Sequence, residues 1–247
     1  MSELLLFFVA GVIGGIVNAA AGGAKLFVFP MLLAAGLPPL AANATGAVAM
    51  WPAQIAAVWV NRKGLFDAPG ALFRQMAPAL VGGFAGAVAL IFSSESGFLA
   101  VIPLLLLIAV GAIVLGRQLA TLMQRAFPGD RLARVSDVLM FAVGFYGGYF
   151  GAGLGFMLIA VLSVAGGITL QRANTMKNLI AFFIYSVAVV PLALSGLVDW
   201  RAASTVLVGG LIGGFIGGHI TRYLPDRPMR YTVAGLGLVL VGTYLLR

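Results

Sequence analysis

The sequence contains no cysteine and a single histidine, His219. Disulfides, thiolate metal sites and multi-histidine metal centres are excluded, and the redox compartment leaves no mark on the chain. Charge is scarce as well: Asp, Glu, Lys and Arg make up 9% of the 247 residues, against roughly 25% in an average soluble domain. A water-facing shell needs charge to stay soluble, and a chain that is 62% hydrophobic cannot supply one. Most of its outer surface must meet a lipid bilayer. The seven acids (Glu3, Asp67, Glu95, Asp130, Asp137, Asp199 and Asp226) all fall at the ends of apolar runs or between them. A mid-membrane carboxylate that would carry protons or sodium is therefore not visible.

Enzyme signatures are missing too. No Gly-x-x-x-x-Gly-Lys-Ser/Thr phosphate loop occurs, which rules out ATP-driven transport by this chain alone. The Ser–His, paired-Asp or zinc centre of an intramembrane protease cannot be assembled. A non-enzymatic role without cofactor or metal is expected. The formal net charge of +8 would suit nucleic acid, but the basic residues sit in short stretches between apolar runs. There they signal topology, and no nucleic-acid partner is expected.

What the chain has is apolar length. Backbone inside lipid must find its own partners, so such runs read as helices, and the alternating polarity of a barrel is lacking. The predicted fold class is an all-α polytopic membrane protein with segments near 4–20, 25–37, 41–60, 73–93, 98–117, 136–151, 155–167, 175–196, 202–221 and 230–246. The longest loop is expected at about 118–135. The opening run Met1-Ser-Glu-Leu-Leu-Leu-Phe-Phe-Val-Ala resembles the apolar core of a signal peptide. Glu3 stands where the basic region should be, so the run is read as a first, uncleaved membrane segment. Full spanning takes about 20 residues. Segments 25–37 and 155–167 fall short of that, and their neighbours 4–20 and 136–151 are marginal.

These odd segments occupy corresponding places in two halves, 1–125 and 126–247. Gly14-Gly15 matches Gly147-Gly148, and Ala35-Gly36 with Leu40 matches Ala165-Gly166 with Leu170. Thr45 falls on Thr175, and Gly64-Leu65 with Asp67 on Gly196-Leu197 with Asp199. Gly82-Gly83-Phe84-Ala-Gly86 matches Gly213-Gly214-Phe215-Ile-Gly217. A near-constant offset argues for an internal repeat, although Gly-rich packing faces recur in any bundle. Five segments per half is an odd number, so the halves enter from opposite sides, each with a short broken or re-entrant pair plus three spanning helices. That is the inverted-repeat plan of many secondary transporters.

Charge gives the orientation. If the segments alternate, one side receives Arg62, Lys63, Arg74, Arg117, Arg125, Arg131, Arg134, Arg172, Arg222, Arg227 and Arg230. The other side receives Arg201 and Arg247. The rich side is cytoplasmic by the positive-inside rule, which puts both termini on the periplasmic face of a bacterial inner membrane.

Two lysines stand apart from that pattern: Lys25, in Asn18-Ala-Ala-Ala-Gly-Gly-Ala-Lys25, and Lys177, in Asn174-Thr-Met-Lys177-Asn178. A lysine near the bilayer centre costs about 2.5–3.5 kcal/mol on insertion scales. Either both snorkel from helix ends to an interface, or they face a central cavity and hold an anion. Gly22-Gly23 and Gly151-Ala-Gly153-Leu-Gly155 break their helices where a new helix N-terminus begins, and such termini favour anions. The neutral polar residues Asn18, Asn43, Thr45, Gln54, Thr175 and Asn178 either join that site or hydrogen-bond between helices. Tyr146, Tyr149 and Trp51 read as packing or interfacial aromatics, and His219 as interfacial. The candidate anion-binding set is Asn18, Gly22, Gly23, Lys25, Asn43, Thr45, Gly153, Gly155, Thr175, Lys177 and Asn178.

At these residues a family resemblance enters. Gly14-Gly15-Ile-Val-Asn18-Ala-Ala-Ala-Gly22-Gly23, then Phe29-Pro30, Ala35-Gly36-Leu37-Pro38 and Ala42-Asn43-Ala44-Thr45, resembles the first signature of the TauE/SafE sulfite-exporter family. Gly144-Phe-Tyr-Gly147-Gly148-Tyr-Phe-Gly151-Ala-Gly153-Leu-Gly155, followed by Ala173-Asn174-Thr175-Met-Lys177, is similar to the second. The family's triple glycine stands here as Gly22-Gly23-Ala24, followed by Lys25. The resemblance implies a transporter of small sulfur-containing or organic anions such as sulfite or sulfonates. A passive anion channel and a non-transporting membrane module are the competing classes, and a homo-oligomer is left open.

Overall fold

The computed structural model describes residues 3–21, 23–60, 69–126, 130–164 and 170–220, and further on 234–235, 237–239 and 242. Among the described residues the chain is all helix and connection, without strands: α1 (Glu3–Ala21), α2 (Lys25–Ala34), α3 (Pro39–Val60), α4 (Pro69–Ile91), α5 (Glu95–Ala126), α6 (Asp130–Tyr149), α7 (Leu154–Val164), α8 (Leu170–Leu194) and α9 (Trp200–Ile220). The expected segment 230–246 lies largely outside the described residues, and those described within it are helical. Gly22, the Gly64-to-Asp67 match, Ala165-Gly166 and the loop cations Arg62, Lys63, Arg222, Arg227, Arg230 and Arg247 also lie outside them.

Two boundaries differ from the sequence expectation. The long loop at 118–135 is mostly helix, because α5 runs 32 residues to Ala126 and α6 starts at Asp130. Gln118-Leu-Ala-Thr-Leu-Met-Gln-Arg125-Ala consists mainly of strong helix formers, so polarity alone was a poor sign of a loop. Residues 127–129, between the two helices, lie outside the described residues. The second difference is α8, which begins at Leu170. Lys177 accordingly sits two turns inside a helix and not at its end.

Among the described residues, three stretches are long and apolar enough to cross a bilayer: Glu95–Gly116, Met176–Leu194 and Trp200–Gly217. Shorter apolar helices are Glu3–Ala19, Lys25–Ala34 and Met76–Ile91. Large apolar side chains such as Val81, Phe84, Leu104, Leu211 and Phe215 point outward, where lipid would take the place of a core.

The repeated glycine motifs are packing surfaces, and they pack across the halves. Side chains in place of Gly11 and Gly15 would strike the carbonyls of Val206 and Gly210. The contact therefore advances along α1 and α9 together, and the two helices run parallel. Likewise Gly82 and Gly86 of α4 lie on the carbonyls of Phe141 and Phe145 of α6, again in parallel. Without a hydrophobic force between helices in lipid, such backbone-to-backbone approach drives association. α3 and α8 run in opposite directions. Thr45, early in α3, meets Asp199 just beyond the end of α8, while Trp51, further along, meets Ser186 and Phe182 further back.

These pairings sort the described helices into two groups. α1, α2, α3 and α9 pack on one another, as do α4 to α8, and the broad contact between groups is α3 on α8. Beside that seam Phe29 of α2 meets Phe98 and Phe150 edge-on, with ring centroids 6.2 and 5.5 Å away.

Candidate anion site at two helix breaks

The break between α6 and α7 is built by glycine. Phe150 and Gly151 both donate their backbone N–H to the Tyr146 carbonyl at 2.8 Å, which closes α6. Gly151 and Gly153 adopt φ of +77° and +71°, a conformation that costs a residue with a Cβ roughly 1–2 kcal/mol. The chain then re-enters a helix, with Phe156 and Met157 donating to the Gly153 carbonyl. Gly153 thus lies in the break, whereas Gly155 belongs to the first turn of α7.

Carbonyls freed by the break must be partnered inside the protein. Four in succession are. The Tyr149 carbonyl accepts from Asn43 Nδ2 at 2.8 Å and that of Phe150 from Lys25 Nζ at 2.6 Å. The Gly151 carbonyl accepts from the Tyr185 hydroxyl at 3.0 Å and that of Ala152 from the Tyr146 hydroxyl at 2.6 Å. Lys25 Nζ also donates to Asn43 Oδ1 at 3.0 Å, which ties the two donors together. Lys25 comes from the first turn of α2 and reaches the C-terminal end of α6, where the helix dipole favours a cation. Its side chain is 3% exposed.

The other break, between α1 and α2, runs through Gly23 and Ala24. α2 starts with no side-chain cap on Ala24. Asn18, in the last turn of α1, is buried, and its Oδ1 accepts from Gln54 Nε2 at 3.0 Å. Asn18 Nδ2 has no hydrogen-bond partner.

The remaining candidates go elsewhere. Thr45 is buried, and its hydroxyl accepts from the Asp199 N–H at 3.0 Å at the entry to α9. Lys177 and Asn178 are buried on α8, and Lys177 is engaged within the protein. Thr175 lies on α8 with its side chain outside the described set, and Gly22 falls outside it altogether. The aromatics pack: Trp51 stacks on Phe182 and donates to Ser186 Oγ, and Tyr149 stacks on Phe145. His219 is exposed in the last turn of α9 against Phe215. Tyr185 is the participant that the sequence reading missed. Its signal was a hydroxyl inside an apolar run, which needs a partner when buried.

Apolar helices packed through glycine around a buried, internally partnered backbone break define a helical membrane protein. The model of the sulfite exporter TauE/SafE family matches residues 7–245, and the chain belongs to that family. It is similar to the probable membrane transporter protein YfcA of Escherichia coli strain K12, with 29% identity over 213 residues. That alignment covers 83% of this chain and 75% of the relative, and the YfcA proteins of E. coli O6:H1 and O157:H7 match equally. No solved structure gives a significant match.

Proposed function

We propose that this protein is a secondary transporter moving a small sulfur-containing or organic anion, of the sulfite and sulfonate class, by alternating access. The observation that carries the reading is charge. Among the described residues the buried charged side chains are Lys25 and Lys177, with no carboxylate buried beside them. A positive interior in a weakly screening medium attracts anions and repels cations. The family's description as a sulfite exporter names the same charge class.

Support for alternating access comes from the two helix groups joined at one seam. The α1–α9 pairing has its counterpart in α6–α4, as expected if residues 1–125 and 126–247 are repeats. The counterparts α3 and α8 run in opposite directions, which suits repeats related by an axis in the membrane plane. The bodies that rock are then not the sequence halves: α1–α3 move with α9, and α4–α8 move together. In this reading both termini face the periplasm from an inner membrane. Cysteines at Ser2 and Arg247 should react with an impermeant thiol reagent applied outside, and cytoplasmic termini would reverse the orientation.

Proteoliposomes loaded with unlabelled sulfite test the function. Uptake of labelled sulfite, thiosulfate or sulfoacetate should saturate and be accelerated by anion on the opposite side. A linear, non-saturating flux would make the protein a channel. Bridging cysteines at Trp51 and Ser186 across the seam with a short bifunctional thiol reagent should arrest uptake, while single-cysteine variants keep it.

A further inference from the structure

We propose that the substrate's oxyanion seats at the first break, on the amide of Asn18, and that Lys25 acts on it only through its field. The assignment rests on the anion-transport reading and locates its binding contact. The observation that carries it is an unpaired buried donor. The Asn18 side chain is 3% exposed, yet its Nδ2 has no partner, while Gln54 holds the opposite end of the amide. Gln54 therefore fixes which way the NH2 points. An unpaired buried donor is costly to a resting protein, and the cost is recovered when an acceptor arrives. The N–H groups at the start of α2 take no part, since those of Leu26, Phe27 and Val28 donate to the Gly23 and Ala24 carbonyls.

The chemistry selects the ligand. An amide whose oxygen is already held by Gln54 offers its NH2 donor and no free acceptor. Groups that only accept, such as the oxygens of sulfite, a sulfonate or a carboxylate, fit it, and an ammonium does not. Lys25, at the start of α2, adds positive charge, but its ammonium donates to Asn43 and to the Phe150 carbonyl at the other break. Asn18 is thus a substrate contact and Lys25 a positioning residue.

The test uses the full-length protein in nanodiscs, with sulfite and methanesulfonate as probes. For the wild type, either probe should raise the melting temperature in a saturable manner. Asn18→Ala should raise the half-saturating concentration about tenfold, the value of one hydrogen bond to a charged group. Asn18→Asp keeps the oxygen that Gln54 holds and replaces the donor by a charge, so the anion-dependent rise should vanish. Wild-type response to both probes in either folded variant overturns the Asn18 seat and leaves anion transport standing, as it would if water alone used that amide. If the wild type responds to neither probe and transports no labelled anion, the transport reading falls and this assignment falls with it.

Discussion

The two helix breaks are alike in sequence and opposite in their polar economy. At the second, four carbonyls in a row find side-chain donors from α2, α3, α6 and α8, and two glycines hold the backbone in a left-handed turn. At the first, the opening N–H groups of α2 go to the Gly23 and Ala24 carbonyls, while the buried Asn18 Nδ2 faces no acceptor. A break whose freed carbonyls already hold their side-chain donors is scaffold, because an anion would have to displace a bond already made to reach those donors. A break with a donor in excess is receptive. The difference shows that a broken helix in a transporter is not by itself a binding site: what matters is which groups the protein leaves for something else.

The largest expected effect falls on the scaffold break. Gly151→Ala forces a Cβ into a left-handed residue and sets it 2.7 Å from both the Gly147 carbonyl and the Tyr185 hydroxyl. Conformational cost and overpacking together should remove about 3 kcal/mol or more of stability. Gly36→Ala is the control, since its φ is +95° but nothing lies within 4 Å of the added atom. It should lose only about 1–2 kcal/mol. Melting of the detergent-purified proteins would rank them, and equal losses would mean that the second break is not tightly held.

Lys25→Met comes next. It strips donors from the Phe150 carbonyl and from Asn43 Oδ1, and a hydrogen bond to a charged group is worth about 1.5–3 kcal/mol. Relief from burying an ammonium offsets part of that loss. The variant should melt below wild type and bind sulfite more weakly, two effects together, whereas Asn18→Ala should show mainly the second. A Lys25→Met protein that melts like wild type and loses only affinity would move Lys25 from scaffold to substrate contact.

Much of this arrangement could be read from the sequence, for identifiable reasons. Glycine clusters mark breaks because little else tolerates the backbone required, as at Gly151-Ala-Gly153, and Gly23 likewise falls between α1 and α2. Apolar length gave the helices, within a turn or two, wherever polar residues did not mask them. At Leu170–Asn178 they did, since Gln171-Arg172-Ala-Asn174-Thr175 reads as a connection and is helical. Partner choice was not legible. Repeated glycine motifs say that helices approach closely but not that α1 lies on α9 and α6 on α4. Lys25 was conspicuous as a buried cation, yet one of its two acceptors is the Phe150 backbone carbonyl, a group that every residue carries. Tyr185 passed as one more aromatic because its role depends on a turn far away in sequence.

The smallest effect belongs to Thr45, which the sequence placed in the anion set. Its hydroxyl accepts from the Asp199 N–H, and Asp199 in turn accepts from Ala202 N–H at 2.9 Å, so the pair fixes the entry to α9. Thr45→Val keeps the branched shape and removes the acceptor. Asp199 is exposed, and water can take over much of the lost bond. The cost should stay near 0.6 kcal/mol, the average for a hydrogen bond between membrane helices. Half-saturation by sulfite should not move, because the hydroxyl is turned toward Asp199 and the α9 entry rather than toward the Asn18 amide. A clear loss of affinity with unchanged melting would put Thr45 back in contact with the anion. It would then extend the receptive region from the first break along α3, past Asn43, and erase the division of labour between the two breaks.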